Sequence, residues 1–267
     1  MNNLKPYLVK WNLKPEGETI TTASSELLPV CYQGKPAMLK MAKTEEEQRG
    51  FALLLFWQAQ GAVQIFEHED AVILMARATG SRSLISMATQ GEDSEATHII
   101  CEVANNIHQC PTQPLPSELL PLNHWFKALE PMATQHGGLF QEALLISQAL
   151  LKHPQDVTPL HGDIHHGNIL DFDEHGWQVI DPKGLVGERT FDFANILCNP
   201  TLELATKPHR LEEQAMLIAQ LAKVDYIRLL KWVFAYAALS ASWHLEEGTN
   251  PELALKVAET AHQALHH

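Results

Sequence analysis

The pattern of hydrophobic and polar positions changes along the chain. In the first third, short apolar runs are separated by turn residues, a pattern that predicts β-strands. These runs lie at residues 27–32, 37–41, 61–65 and 71–75. From residue 94 onwards, apolar residues recur every three or four positions, which predicts amphipathic helices. We therefore expect a part rich in strands, followed by a larger and mainly helical part.

A second group of short strands is predicted within the helical part. Residues 157–160 form an apolar run that leads into a polar loop. Two further runs, at residues 169–172 and 177–180, flank residues that favour a chain reversal. The two runs and the turn between them predict a β-hairpin.

Polar residues with hard oxygen atoms surround this predicted hairpin. Asp163 lies in the preceding loop, Asn168 follows it by five positions, and Asp181 comes directly after the second strand. The hairpin would bring Asn168 and Asp181 to the same end, facing Asp163. Magnesium prefers oxygen ligands, and protein kinases place an Asp, an Asn and a second Asp in this order. We predict that Asp163 orients an attacking hydroxyl group and that Asn168 and Asp181 bind Mg²⁺.

Histidines in the same loop allow a different interpretation. His161, His165 and His166 surround Asp163 in a pattern that resembles the clustered ligands of zinc hydrolases, and zinc readily binds imidazole. Such sites need further ligands from later strands, and no second compact His/Asp cluster follows in the sequence. A metal-dependent hydrolase is therefore kept as an alternative function.

One lysine of the first part is predicted to be buried. Lys40 lies in an apolar strand, where a charged group is costly unless it is paired. The next helix, predicted from Thr44 to about residue 60, carries Glu47 one turn before Phe51 on its apolar face. Glu47 is therefore predicted to pair with Lys40, with Glu46 as the second choice. The alternative is a capping box in which Thr44 and Glu47 satisfy each other's backbone donors.

A family resemblance rests on the segment from Leu160 to Pro200. This segment contains HGDIHHGNIL, GWQVIDPKGLVGER and FDFANILCNP, and it resembles the aminoglycoside/hydroxyurea phosphotransferase family, which includes streptomycin 6-kinases. The similarity extends over nearly the whole chain. It implies an α+β, two-lobe protein-kinase-like fold with a small antiparallel-sheet N-terminal lobe, residues 1–77, and a larger, mainly helical C-terminal lobe, residues 78–267.

The resemblance also implies a reaction. It is the ATP- and magnesium-dependent O-phosphorylation of a small hydroxylated cationic molecule, with a streptomycin-type aminoglycoside as the first choice. Hydroxyurea, a sugar or an amino alcohol are the alternatives for the same chemistry. The sequence does not determine the physiological substrate, the position phosphorylated, the preference for ATP or GTP, or the oligomeric state.

Further nucleotide-binding residues follow from the kinase comparison. Ser24 and Ser25 occupy the place of a turn that covers the nucleotide, although an ordinary hairpin turn explains them equally well. Met75 and Arg77 lie where a kinase hinge would read adenine through its backbone. Asp192 lies where related kinases buttress the catalytic loop, with a helix N-cap as its other explanation.

The acceptor substrate is expected among carboxylates. Glu188 follows the Asp181 loop, and Glu246 and Glu247 end a long predicted helix with Trp243 one turn earlier. Carboxylates accept guanidinium groups in a bidentate manner, and a Trp face attracts cations. The alternative is a solvated helix end with Trp243 in the core.

The composition of the chain indicates which kinds of partner it binds. The net charge is −13, and no dense Lys/Arg cluster indicates a nucleic-acid partner. An acidic surface favours a cationic partner. The longest apolar stretch, residues 51–57, is too short to cross a membrane. The chain shows no apolar signal segment and no CxxC pair, so we expect a cytoplasmic protein with structural cysteines. The cysteines are Cys31, Cys101, Cys110 and Cys198.

Overall fold

The computed structural model describes residues 3–109 and 113–266, so the predicted role of Cys110 lies outside the described residues. The chain forms the expected α+β, two-lobe fold. A six-stranded sheet in the order β1-β3-β4-β6-β5, with β2 paired to β3, makes up the smaller lobe. Its strands are β1 (Lys14–Pro15), β2 (Ile20–Thr21), β3 (Ser25–Tyr32), β4 (Lys35–Ala42), β5 (Ile65–Glu69) and β6 (Val72–Ala76).

All neighbours in this sheet are antiparallel, as the resemblance predicted. Strand β4 lies between β3 and β6, and Lys40 is opposite Leu27 on one side and Ile73 on the other. Successive side chains of a strand point to opposite faces. Leu39 is therefore buried in a small apolar cluster under one face of the sheet, whereas Lys40 is directed to the other face.

The remaining strands lie in the larger lobe. Strand β11 (Leu185–Glu188) lies between β7 (Leu120–Pro121) and β8 (Val157–Leu160) in a small mixed sheet. Strands β9 (Ile169–Asp171) and β10 (Trp177–Val179) form an antiparallel hairpin. The strand over residues 157–160 and the predicted hairpin are thus confirmed.

Helices build the rest of the molecule. They are α1 (Lys5–Lys10), α2 (Glu45–Trp57), α3 (Leu84–Met87), α4 (Asp93–His108), α5 (Asn123–Phe126), α6 (Leu129–His136), α7 (Gly138–Lys152), α8 (Leu202–Ala205), α9 (Arg210–Ala222), α10 (Tyr226–Glu247) and α11 (Glu252–Ala264). Helix α10 has 12 buried residues among its 22 and is therefore the central helix of the lobe. No helix in residues 3–109 and 113–266 is long and apolar enough to span a membrane.

Two helical segments depart from regular α-helix. The segment after α3 continues as a π-helix, Ala88–Glu92, in which Gly91 has a φ of 100° and marks a kink. The helix that carries Asp192 is a 3₁₀-helix, Arg189–Cys198, and its residues from Thr190 onwards are buried. The division of the chain at residue 77 remains a prediction.

Candidate active site

The loop after β8 holds Asp163 in a defined orientation. Asn195, on the buried 3₁₀-helix, donates from Nδ2 to Asp163 Oδ1 at 2.8 Å. Asn168 donates from Nδ2 to Asp163 Oδ2 at 3.1 Å and to its backbone oxygen at 2.9 Å. Each carboxylate oxygen thus has an amide donor, and the plane of the carboxylate is fixed. A hydroxyl group that approaches Asp163 meets an oriented acceptor.

Asp192 supports this loop from behind. Its Oδ2 accepts from the backbone nitrogen of His161 at 2.9 Å, and its Oδ1 accepts from that of Gly162 at 2.7 Å. His108 contacts the same carboxylate at 2.9 Å through Nε2. Asp192 is 1% exposed, so three contacts compensate for its burial. The predicted buttress is confirmed, and the alternative of a helix N-cap is wrong because Asp192 lies inside the 3₁₀-helix.

Two histidines of the loop stabilise its conformation through contacts with the backbone. His161 Nε2 contacts the carbonyl oxygen of Ile180 at 2.8 Å, and its Nδ1 accepts from the backbone nitrogen of Asp163. His165 accepts from the backbone nitrogen of Gly167. Burial, together with the Arg210 guanidinium, lowers the pKa of His166 to about 4. Both ring nitrogens of His161 are thus occupied. Within residues 3–109 and 113–266, the histidines of this loop form no group of three potential ligands close enough to hold one ion, so the zinc-hydrolase alternative lacks a ligand set there.

The two predicted magnesium ligands lie side by side at the end of the hairpin. Ile169 pairs with Val179, and the backbone nitrogen of Ile180 donates to the backbone oxygen of Asn168 at 2.9 Å. Because Nδ2 of Asn168 is committed to Asp163, its amide oxygen is the atom that remains for a metal. The side chain of Asp181 is 36% exposed and supplies a charged oxygen. These oxygen donors fit Mg²⁺.

Lys40 links the two lobes. Its Nζ lies 2.7 Å from Glu47 Oε2 and 2.7 Å from Asp181 Oδ1. The lysine is buried, as expected for a strand residue that is paired. The predicted Lys40–Glu47 ion pair is confirmed. Thr44 also accepts from the backbone nitrogen of Glu47 at 3.3 Å, so Glu47 takes part in the cap and in the ion pair.

A glycine lets helix α2 contact the loop that carries Asp181 directly. A β-carbon on Gly50 would lie 2.2 Å from the carbonyl oxygen of Pro182. No side chain fits that distance without a shift of the backbone. The close approach places α2 against the residue that follows Asp181, and it explains why glycine stands at this position.

Lys183 brings a second ammonium group into the site, which the sequence did not predict. Its Nζ lies 3.3 Å from Glu46 Oε1 and 3.9 Å from Asp163 Oδ2. Burial opposes the charge, but the carboxylates of Asp163 and Glu46 outweigh it and raise the pKa of Lys183. Glu46, the second choice for Lys40, therefore pairs with Lys183. The signal available in the sequence was its position two residues after Asp181.

A cavity of about 490 Å³ opens beside Asp163. One face of α10 forms a wall, because residues spaced by three or four positions share a helix face. The ring centroids of Trp125 and Trp243 lie 5.2 Å apart at 90°. Burial raises the pKa of Tyr236 well above its usual value. The lining residues are Glu46, Trp125, Gly162, Asp163, Lys183, Tyr236, Ser240, Trp243, His244 and Glu247.

Two of the four predicted substrate residues line this cavity, namely Trp243 and Glu247. The prediction for Glu188 is wrong. Glu188 is 1% exposed, and its carboxylate is occupied by the Arg228 guanidinium, by Trp232 Nε1 at 2.8 Å and by a backbone nitrogen. Glu246 is exposed and lies about 100° around the helix from Glu247, outside the lining set.

The predicted nucleotide-binding residues lie in the smaller lobe. The side chain of Ser25 is 2% exposed and contacts Thr22, and the role of the Ser24–Ser25 turn in covering the nucleotide remains a prediction. Ser24 donates to Glu47 Oε1 at 2.8 Å and supports the ion pair. Met75 lies within β6, between β4 and β5. The Arg77 nitrogen donates to Pro36 O, and its guanidinium contacts Glu16. The hinge remains a prediction.

The fold and the site define a class. A lysine–glutamate pair under the sheet of one lobe faces an aspartate–asparagine loop of the other, which is the arrangement of protein-kinase-like phosphotransferases. The comparison with known families narrows this class. A model described as aminoglycoside/hydroxyurea antibiotic resistance kinase matches residues 10–248. The chain belongs to this family of small-molecule kinases.

Known proteins agree with this assignment. The chain is 42% identical over 244 residues to the streptomycin 3''-kinase of Klebsiella pneumoniae. The matched region covers 90% of this chain and 91% of that protein. It is 26% identical over 253 residues to the streptomycin 6-kinase of Streptomyces griseus, with 90% and 81% covered. A thermostable mutant of aminoglycoside phosphotransferase APH(4)-Ia, in a ternary complex with ADP and hygromycin B, shares the fold. Its TM-score is 0.64 at 14% identity, over 100% of this chain and 98% of that one.

Proposed function

We propose that the chain transfers the γ-phosphoryl group of ATP to a hydroxyl group of streptomycin, with Mg²⁺ as the metal cofactor. The observation that carries this proposal is the cavity beside Asp163. Its lining set contains three carboxylates, those of Glu46, Asp163 and Glu247, against one lysine ammonium, that of Lys183. A cleft lined by carboxylates attracts a cationic substrate.

The shape and the aromatic wall favour streptomycin over smaller acceptors. Streptomycin carries two guanidinium groups, whose planar forks match carboxylates such as Glu247 in bidentate geometry. Trp125 and Trp243 offer faces for the same cations, each worth roughly 0.5–2 kcal/mol. Hydroxyurea would fill only a small part of a cavity of about 490 Å³.

The side chains of the site have separate tasks in this reaction. Asp163 accepts a hydrogen bond from the substrate hydroxyl and orients it, and Asn195 fixes the carboxylate. Lys40 holds the α- and β-phosphates, with Glu47 keeping its ammonium in place. Asn168 and Asp181 would hold the metal. Magnesium, when bound with the nucleotide, neutralises charge on the phosphates.

Lys183 is proposed to act on the transferred group. Its ammonium lies 3.9 Å from Asp163, on the side of the cavity where the acceptor hydroxyl and the γ-phosphoryl group must meet. A cation at that place stabilises charge on the equatorial oxygens of the transition state. Glu46 holds the same ammonium in the free enzyme.

The position of phosphorylation is proposed from the relatives. Identity is 42% with the streptomycin 3''-kinase and 26% with the streptomycin 6-kinase, so we assign the 3'' hydroxyl. The proposal places the reaction in the cytoplasm, where ATP is available.

The experiment is a coupled ADP-release assay with streptomycin, kanamycin and a neutral sugar at matched ionic strength. We expect turnover of streptomycin to exceed that of kanamycin, and fragment-ion mass spectrometry to find the phosphate on the ring that carries the 3'' hydroxyl. Kanamycin turnover above streptomycin turnover, or turnover of the sugar alone, contradicts the substrate. Phosphate on the 6 position would contradict the assignment of the 3'' hydroxyl as the acceptor.

A further inference from the structure

Three potential metal ligands converge at the surface of the larger lobe. Glu142 lies on α7, His262 on α11, and His266 two residues beyond the end of α11. Their ligand atoms all lie within 4.8 Å of one another. A search of residues 3–109 and 113–266 for three or more His, Cys, Asp or Glu side chains with ligand atoms this close together finds this group alone.

The distance between the two imidazoles matches a metal site. His262 Nε2 and His266 Nε2 lie 3.2 Å apart. Two nitrogens bound to zinc at its usual bond length, with tetrahedral angles, lie about 3.3–3.4 Å apart. His266 follows His262 by four positions, just beyond the end of α11, and its backbone nitrogen donates to the carbonyl oxygen of Gln263. The Nε2 atoms of the two histidines are already at the separation that a tetrahedral ion requires.

Hydrogen bonding alone does not satisfy this arrangement. His262 Nε2 also lies 2.5 Å from Glu142 Oε2. A neutral imidazole has a single N–H, which cannot donate fully to the carboxylate and to His266 together. If His262 Nε2–H donates to Glu142, the same nitrogen has no free lone pair and cannot also accept from His266. A metal ion accepts lone pairs from all three groups at once.

One of the three ligands, His262, lies on an anchored helix, and Glu142 has an adjustable side chain. Helix α11 is anchored by Ala254, Val257, Ala258 and Ala261. The His262 ring packs on Phe234 of α10 with centroids 5.2 Å apart. The Glu142 side chain is 53% exposed, so it can retreat by the fraction of an ångström that a metal needs. Ligands placed on anchored helices hold their geometry more closely than ligands on loops.

We propose that Glu142, His262 and His266 bind one divalent transition-metal ion of the zinc class, with water in the fourth position. Two imidazoles and one carboxylate favour zinc, cobalt or nickel over magnesium, which prefers oxygen alone. The ion ties the C-terminal helix to α7. This site is separate from the magnesium ligands Asn168 and Asp181, and it does not depend on the proposed substrate.

The test measures metal binding rather than turnover. Zinc is titrated by calorimetry into nucleotide-free protein, and Co²⁺ is used as a spectroscopic probe. We expect wild-type protein to bind one zinc ion at this site, and His266→Ala and Glu142→Gln to weaken that binding by about tenfold or more, the scale of losing a metal ligand or its support. Tetrahedral Co²⁺ absorption should disappear in His266→Ala.

A matched control is His175→Ala. His175 is exposed and lies 3.8 Å from Glu174, so it is also a histidine beside a carboxylate but without a second histidine. Its replacement should leave the zinc affinity unchanged. Equal zinc affinity and stoichiometry in wild-type protein and His266→Ala, with no change in Co²⁺ absorption, would overturn the proposal. Because His266 is exposed, loss of folding does not obscure the result, and circular dichroism checks this.

Discussion

Asn195 donates a 2.8 Å hydrogen bond from its side-chain nitrogen to Oδ1 of Asp163. The asparagine is 6% exposed and is itself held by Asn199, whose Nδ2 donates to Asn195 Oδ1 at 2.9 Å. The carboxylate that lines the cavity is therefore oriented by a residue 32 positions later in the chain. Orientation of this kind is what a loose phosphoryl-transfer transition state requires from the protein.

Asp163→Asn should fold normally and lower kcat by at least about a hundredfold, the scale of losing a positioned acid/base group. Asn195→Ala should lower kcat by about tenfold with the nucleotide KM unchanged, because the acceptor remains but loses its orientation. Steady-state kinetics measure both changes. Asn250→Ala, an exposed asparagine, is the control. Near-normal turnover of folded Asp163→Asn would falsify the role of Asp163.

Lys40 and Glu47 should be energetically coupled in nucleotide binding. A double-mutant cycle with Lys40→Ala and Glu47→Ala should give an interaction free energy of about 1 kcal/mol or more, since the two charges lie 2.7 Å apart in a buried place. Thr44→Ala separates the cap from the ion pair. It should reduce the free energy of unfolding by about 1 kcal/mol and leave nucleotide affinity unchanged. Additive losses in the cycle would assign Glu47 to the cap alone.

Asp181 should contribute more to metal binding than Asn168. Magnesium binds a carboxylate more strongly than an amide oxygen, and Asp181 supplies the charge. Calorimetry with a non-hydrolysable ATP analogue should show that Asp181→Ala removes the magnesium dependence of binding, whereas Asn168→Ala only reduces it. Removal of magnesium with EDTA should lower the affinity of wild-type protein for the ATP analogue to the level measured for Asp181→Ala. Equal effects of the two substitutions would refute this ranking.

Lys183 should affect the chemical step more than substrate binding. Lys183→Ala should reduce kcat by about a hundredfold with a small change in the nucleotide KM, because an ammonium at the transferred group acts in the transition state. Lys183→Arg, which keeps the charge, should recover part of the rate. Glu46→Gln tests the partner and should change kcat less. A rise in the nucleotide KM at constant kcat would instead assign Lys183 to ground-state binding.

Neighbouring glutamates at the end of α10 provide a matched comparison for the acceptor site. Glu247 lines the cavity and Glu246 does not. Glu247→Gln should raise the KM for streptomycin by about tenfold, since a charge-assisted contact is worth about 1.5–3 kcal/mol. Glu246→Gln makes the same chemical change outside the cavity and should leave KM unchanged. Equal effects would indicate a long-range charge effect, and the KM shift would then depend strongly on salt.

Local sequence signals predicted the parts of the site that are close together in the chain. Asp163, Asn168 and Asp181 lie on one loop and the hairpin that follows, so their spacing in the sequence determines their spacing in space. Lys40 was predictable because a charged residue in an apolar strand must be paired. Periodicity also indicated the helical character of the larger lobe, although a kink at Gly91 left no clear signal.

Residues brought in by tertiary packing could not be predicted in this way. Asn195 and Trp125 reach the site from separate elements, and nothing beside them in the sequence distinguishes them from core residues. Glu188 shows the opposite error. It follows the Asp181 loop closely in sequence, but it ends strand β11 with its side chain directed inward to Arg228 and Trp232. Closeness along the chain therefore did not determine which side of the strand faced the cavity.

The contact between Gly50 and Pro182 has a mechanical consequence. With no β-carbon at residue 50, helix α2 contacts the carbonyl oxygen of Pro182, so the helix that carries Glu47 lies directly against the loop that carries Asp181. In kinases that are switched on and off, movement of this helix breaks the lysine–glutamate pair. Any side chain at position 50 would act as a wedge between α2 and the loop that carries Asp181, and it would push Glu47 away from its place beside Lys40.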